Sequence, residues 1–189
     1  MTAPTTRTEP RIGVLLAGGA SRRMGRDKAG LRWRGRPLLQ HMRMLLGELA
    51  LDRIVVSGDR PEEMDSVPDQ RPGCGPLGGL ASVAVELPDA TLLVVPVDMP
   101  CLDAVLLRGL LDAVPAGPVH YAERPLPMRL PLDEALRRWF RDWLAQTDAP
   151  RAVHRLHARL GSQVLPVESA ALARLVNANT PEDWEQLNP

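Results

Sequence analysis

The chain is 189 residues long, 44% hydrophobic and 24% charged, which suits one domain with a substantial buried core. Lysine plus arginine (23) equals aspartate plus glutamate (23), so there is no cationic surplus of the kind that coats nucleic acid or ties a chain to an anionic membrane. No apolar run is long enough to span a bilayer. Residues 1–10, polar and rich in Thr and Pro, lack the apolar stretch of a signal peptide and are expected to form a disordered tail.

Short apolar segments alternate with helical patterns along residues 1–189, predicting a single α/β domain built on a Rossmann-like, open, mostly parallel sheet with helices on both faces. Residues 12–17 form a continuous apolar run, the pattern of a strand buried on both sides. A polar, glycine-rich loop follows to about Gly35. Pro37 then opens a helix through Leu49, with Leu38, Met42, Leu45, Leu46 and Leu49 at helical spacing. Residues 53–56 read as the second strand, ending in the turn Ser57-Gly58-Asp59. Pro and Gly dominate residues 68–79, which read as loop, and a helix is expected from about Leu80 to Glu86. Residues 91–97 are the most convincing central strand, ending in Asp98-Met99-Pro100. A helix over 103–113 leads to a strand at 119–121, and the pattern loosens over 123–131. Helices over 133–144 and 152–160, a strand over 163–167 and a helix after Thr180 complete the chain.

Residues 16–28, Leu-Ala-Gly-Gly-Ala-Ser-Arg-Arg-Met-Gly-Arg-Asp-Lys, directly follow the first strand and so lie at the carboxyl edge of the sheet, where open α/β sheets bind ligands. Glycines let the backbone approach a phosphate and turn its N–H groups inward. Arg22, Arg23 and Lys28 add charge suited to a triphosphate. Lys28 is the only lysine of the chain. The alternative is a solvated loop whose cations happen to cluster.

Two common phosphate motifs are excluded. A P-loop needs Gly-Lys followed by Ser or Thr; here Lys28 follows Gly25 by three positions and Ala29 comes next. Residues 73–78 match Gly-x-Gly-x-x-Gly, with Asp98 twenty residues beyond Gly78. However, no strand immediately precedes that stretch, and Pro68, Pro72 and Pro76 lie before or within it, against a dinucleotide fingerprint.

Leu16-Ala17-Gly18-Gly19 with Ser21, Arg23-Met24-Gly25 and Asp27-Lys28 resembles the signature of the MobA-like nucleotidyltransferases, those related to molybdenum cofactor guanylyltransferase. Three further blocks are similar to that family in the expected order: Gly75-Pro76-Leu77-Gly78-Gly79-Leu80, Val97-Asp98-Met99-Pro100, and Asn177-Ala178-Asn179-Thr180-Pro181-Glu182-Asp183. The resemblance implies a nucleotidyltransferase-type fold and transfer of GMP from GTP to molybdopterin carrying molybdenum, with release of pyrophosphate. It implies GTP on Leu16, Ala17, Gly18, Gly19 and Lys28, with Lys28, Arg23 and Asp98 serving catalysis. Such a transfer needs a divalent ion, and Mg²⁺ takes one or two carboxylates plus phosphate oxygens and waters. Asp98, capping the strongest strand at the same sheet edge, is the expected metal ligand; the alternative is an aspartate that caps the helix after Pro100. Asp69 matches a nucleotide-contacting aspartate of the family, with an Asx-turn as its alternative role. Ser57 aligns with a position often held by Asn. Gly18 favours guanine, since cytidylyl relatives tend to carry Ala there and a missing Cβ leaves room for a purine. Cofactor-delivery or acceptor proteins are the further partners implied. Leu126 departs from the family, which usually has His at that point of the acceptor side. A cytidylyl or other small-molecule nucleotidyltransferase, and a non-catalytic nucleotide-binding regulator, are the competing functions.

The remaining features read as structure. Cys74 and Cys101 show neither Cys-x-x-Cys spacing nor disulfide density and are taken as free thiols in a reducing cytoplasm. His154 and His157, three apart on one helix, have no further ligand in metal-binding spacing and read as a polar helix face. Trp139, Phe140 and Trp143 read as core or interface anchors. With aromatics at 3%, no stacking platform for a single-stranded nucleic acid is evident.

Overall fold

A computed structural model of the protein describes residues 9–18, 27–114, 116–147 and 151–187. Its elements in chain order begin with β1 (Arg11–Leu16), a single 3-10 turn (Lys28–Gly30), and the short hairpin β2 (Arg32–Trp33) and β3 (Arg36–Pro37) leading into α1 (Leu38–Gly47). There follow β4 (Arg53–Ser57), β5 (Ser66–Val67), α2 (Gly75–Ala84), β6 (Ala90–Pro96), α3 (Ala104–Asp112) and β7 (Val119–Tyr121). The chain continues through β8 (Met128–Leu132), α4 (Glu134–Ala145), α5 (Val153–Leu160), β9 (Gln163–Leu165), α6 (Ser169–Leu172) and α7 (Pro181–Leu187).

Seven strands form one sheet in the order β5-β4-β1-β6-β8-β7-β9. β1 runs parallel to β4 on one side and to β6 on the other, so the chain reverses its winding direction at β1 and leaves a crevice beyond the strand ends. Alternation along the strands feeds two cores. Ile12, Val14, Leu16, Leu92 and Val94 face α2, α4 and α5. Leu15, Leu93 and Val95 face α1 and α3, with Trp184 and Leu187 of α7 packed against the same side. Helices thus cover both faces, as expected.

β8 alone breaks the parallel pattern. It pairs antiparallel with β6, Met128 opposite Val94, and with β7 on its other side. Its first residue therefore lies near the end of β6, and the segment just before it arrives at the same sheet edge as the loops leaving β1, β4 and β6.

Several expectations need correction. Residues 123–131, read as patternless, contain β8. Pro131 obscured it, yet β7 pairs no further along β8 than Arg129, so the proline lies where β8 is flanked by β6 alone. α2 begins at Gly75, five residues before the expected start. Pro76 occupies its first turn, where the missing N–H costs nothing. The β2–β3 hairpin, β5 and α6 are too short to leave a periodic signal. His157 does not belong to a polar helix face: it is buried, 7% exposed, whereas His154 is exposed. Phe140 and Trp143 do enter the core, and both cysteines are free thiols. Pro10, within the expected tail, accepts the Thr91 amide at 2.9 Å, while residues 1–8 lie outside the described residues. No described helix is long and apolar enough to cross a membrane.

Candidate active site

The backbone that leaves β1 stays tied to both neighbouring strands. Ala17 N–H reaches the Ser57 carbonyl and Val97 N–H reaches the Leu16 carbonyl, each at 3.0 Å. Ala17, Gly18, Ser57, Val97 and Asp98 are thereby held along one edge. Close approach there depends on side chains being absent. A Cβ on Gly18 would stand 2.9 and 3.0 Å from the two Asp69 carboxylate oxygens, and one on Gly79 would stand 2.3 Å from Ser57 Oγ. Gly58, at φ +118°, is in the left-handed region, and a Cβ on it would meet Gly18 Cα at 2.8 Å. Asp69 and Ser57 are joined at 3.3 Å, directly behind Gly18. Burial pushes the Asp69 carboxyl above its ordinary value, only partly offset by the Ser57 hydroxyl.

Lys28 opens the 3-10 turn that Asp27 caps by accepting the Ala29 amide at 3.1 Å. Arg60 grips both oxygens of Asp27 and donates to the Ala17 carbonyl at 2.9 Å, tying the end of the glycine-rich loop to its beginning. That guanidinium holds the Asp27 carboxyl below the usual carboxylate range. Lys28 Nζ donates to Asp98 Oδ2 at 2.8 Å and to Asn179 Oδ1 at 2.9 Å. Asn177 Nδ2 donates to Asp98 Oδ1 at 2.8 Å, and Ala178 N–H to the Asp98 carbonyl at the same distance. Asp98 does not cap α3; Asp103 does, accepting the Leu106 amide at 3.0 Å.

The two asparagines are placed by a reciprocal cap. Asp183 accepts the amides of Asn179 and Thr180, both at 2.9 Å, while Thr180 Oγ1 accepts the Asp183 amide at 3.1 Å. Thr180-Pro181-Glu182-Asp183 carries this capping signature openly. The block alone gives no sign of the contacts of Asn177 and Asn179, and no motif marks Arg60.

These groups surround a cavity of about 550 Å³, within the range of small-molecule sites. Ala17, Gly18, Lys28, Asp98, Asn177 and Asn179 form one wall. Further lining residues come from the start of α2 (Gly75, Pro76), from the approach to β8 (Pro125, Leu126) and from the entry into α5 (Arg151, His154). Of the expected site residues, Leu16, Ala17, Gly18, Lys28 and Asp98 meet at this cavity. Ser57 and Asp69 lie one layer behind it against Gly18. Gly19 and Arg23, with Arg22, lie outside the described residues.

No group of three or more His, Cys, Asp or Glu side chains suited to a metal occurs among the described residues. Asp27 also lines the cavity, but its carboxylate is taken by Arg60 and the Ala29 amide. Asp98 with the Asn179 amide oxygen is the hard-oxygen pair on this wall. One carboxylate fits a Mg²⁺-like ion that shares its coordination with phosphates and waters, and does not resemble a closed structural site.

Comparison with known proteins agrees with this architecture. The chain matches the family described as MobA-like NTP transferase domain over residues 13–164. It is 45% identical over 183 residues to a molybdenum cofactor guanylyltransferase of Xanthomonas euvesicatoria pv. vesicatoria, covering 96% of each chain. It is 33% identical to a protein of the same name from Rhizobium johnstonii, covering 90% of this chain and 88% of the relative. In fold it resembles the solved molybdopterin-guanine dinucleotide biosynthesis protein A of Archaeoglobus fulgidus, with TM-score 0.73 at 19% identity over 94% of this chain and 96% of that one. The close-packed edge beside Gly18, the Lys28–Asp98 pair at the cavity and the family match over residues 13–164 agree: the chain belongs to the MobA-like NTP transferase family and is a nucleotidyltransferase.

Proposed function

We propose that this enzyme transfers GMP from GTP to the terminal phosphate of molybdopterin carrying molybdenum, forming the guanine dinucleotide form of the cofactor and releasing pyrophosphate. The observation that carries this reading is the Lys28–Asp98 pair, flanked by Asn177 and Asn179, lining one cavity with Ala17 and Gly18. The names of the curated relatives supply the substrates.

The nucleotide lies with its phosphates along Ala17, Gly18 and Lys28, and Arg23 and Gly19 belong to the same cradle. Lys28 trades Asp98 for phosphate oxygens. Asp98, with the Asn179 amide oxygen beside it, holds Mg²⁺. When bound, that ion neutralises charge on the α-phosphate and on the departing pyrophosphate. The acceptor phosphate approaches from the opposite wall, past Leu126, Arg151 and His154, and its oxygen attacks the α-phosphorus. The bond from that phosphorus to the bridging oxygen breaks and pyrophosphate leaves. Because the attacking oxygen is already anionic, the step asks for positioning and charge neutralisation and for no strong general base.

Asp69 and Ser57 serve the nucleoside end. Glycine at position 18 has a second reason besides room for a purine, since it lets the Asp69 carboxylate stand against the loop. Gly18→Ala is expected to push that carboxylate away and weaken GTP binding about tenfold by calorimetry, the usual scale of a forced close contact. Unaltered affinity would remove Asp69 from the nucleotide site.

The whole reading is tested by pyrophosphate release with Mg²⁺, the molybdopterin cofactor and each nucleoside triphosphate in turn. GTP is expected to support turnover and the others not. Activity with CTP alone would move the enzyme to cytidylyl transfer, and no release with any of them would overturn the reading.

A further inference from the structure

His154 and His157 share α5 but not a surrounding. His154 lines the cavity, while His157 turns inward against β7. The His157 ring stacks on His120, with centroids 3.9 Å apart and planes tilted by 33°. Its Nε2 is 2.9 Å from the Pro125 carbonyl and its Nδ1 is 2.9 Å from Ser162 Oγ. A carbonyl only accepts, so Nε2 carries the proton, and in the neutral ring Nδ1 accepts from the Ser162 hydroxyl. Burial lowers the proton affinity of this ring and outweighs the Pro125 contact, which raises it; repulsion from His120 and His154 acts in the same direction as burial. His120 turns its Nδ1 to the carbonyls of Tyr121 at 2.8 Å and Arg124 at 3.0 Å. Two stacked imidazoles therefore hold the consecutive carbonyls of Arg124 and Pro125.

That segment is the approach to β8. Its amides are anchored by Ala122 to Leu165 at 2.9 Å and by Arg124 to Tyr121 at 3.1 Å, and Glu123 takes a left-handed conformation, φ +59°. Pro125 and Leu126 then line the same cavity as Lys28 and Asp98.

We propose that His157, backed by His120 and Ser162, is a positioning residue for the second substrate. It fixes the Pro125–Leu126 wall, against which the acceptor docks, and touches neither substrate itself. The inference rests on the assignment of that wall to the acceptor under the proposed function. It gives the helix that supplies His154 a direct tie to the segment before β8.

The test is steady-state kinetics with acceptor varied at saturating GTP and with GTP varied at saturating acceptor. His157→Leu is expected to raise the acceptor KM about tenfold and leave the GTP KM and the GTP affinity by calorimetry unchanged, as for loss of one buried hydrogen bond to the wall. His157→Gln, whose amide still donates to Pro125, is expected to recover most of that loss. Ser162→Ala, a smaller change that keeps the ring, is expected to shift the acceptor KM in the same direction by about threefold. Equal rises in both KM values, no recovery in His157→Gln, or an unchanged acceptor KM in the Ser162 variant and in a folded His157 variant would overturn the proposal. Leu126→Arg separates this from the acceptor assignment. If it raises the acceptor KM while the His157 variants do not, the wall stands and the positioning role falls; if it leaves the acceptor KM unchanged, the acceptor assignment itself falls and takes the proposal with it.

Discussion

Asp98→Asn is expected to lower kcat by about three orders of magnitude or more, the scale on which a lost charge-stabilising group acts in transfer reactions. The fold should survive the change. An asparagine at 98 still offers a carbonyl oxygen to Asn177, and the backbone bond from Ala178 does not involve the side chain. What disappears is a negative charge lining the cavity, on a side chain only 17% exposed. The measurement is pyrophosphate release across a Mg²⁺ titration, paired with a thermal melt. Turnover near the wild-type rate in the Asn variant would remove Asp98 from metal binding. A rate restored by raising Mg²⁺ would show that Asp98 sets ion affinity without contributing further to the transfer.

Lys28→Ala carries two expectations of opposite sign. GTP affinity should fall by about tenfold to a hundredfold, since a charge-assisted contact to phosphate is lost. Affinity of the nucleotide-free protein for a divalent ion should instead rise, because Lys28 is the cation that occupies Asp98 Oδ2 at 2.8 Å and removing it vacates that oxygen. Calorimetry with GTP reads the first, and a titration with Mn²⁺ followed by electron paramagnetic resonance reads the second. Unchanged GTP affinity would count against the phosphate contact, and weaker Mn²⁺ binding would show that Lys28 organises the site and does not compete for it.

The sheet was legible where its strands are buried on both sides. Residues 12–17 are an unbroken apolar run, residues 53–56 and 91–97 are apolar after a polar first residue, and each lies within a residue or two of β1, β4 and β6. Leu16, Ala17, Gly18, Lys28 and Asp98 could be grouped for that reason: they follow two adjacent parallel strands, and a parallel sheet sends such residues to one edge. Asn177 and Asn179 stand seventy-nine and one hundred and fifty-one positions from the partners they contact, Asp98 and Lys28, with no strand to place them. Arg60 was invisible for a related cause. It acts by bridging Asp27 to Ala17 across the loop, and an arginine in a turn rich in charge looks like any solvated side chain. His157 misled because helical spacing pairs it with His154, while its actual surroundings come from β7 and the loop before β8, which no local pattern reports.

The reversal of β8 separates the histories open to the two halves of this enzyme. The proposed nucleotide side rests on the exits of β1 and β6, with Lys28, Asn177 and Asn179 added from a 3-10 turn and the segment before α7. The facing wall is delivered by the approach to an antiparallel strand, between Tyr121 and Met128, at a place where the sheet has already changed direction. Residues exchanged there leave the strand register untouched, so long as the carbonyls at 124 and 125 still meet His120 and His157. If the proposed division of the cavity holds, such a frame keeps its triphosphate side while the acceptor side changes, and grafting a new 122–127 segment tests that directly.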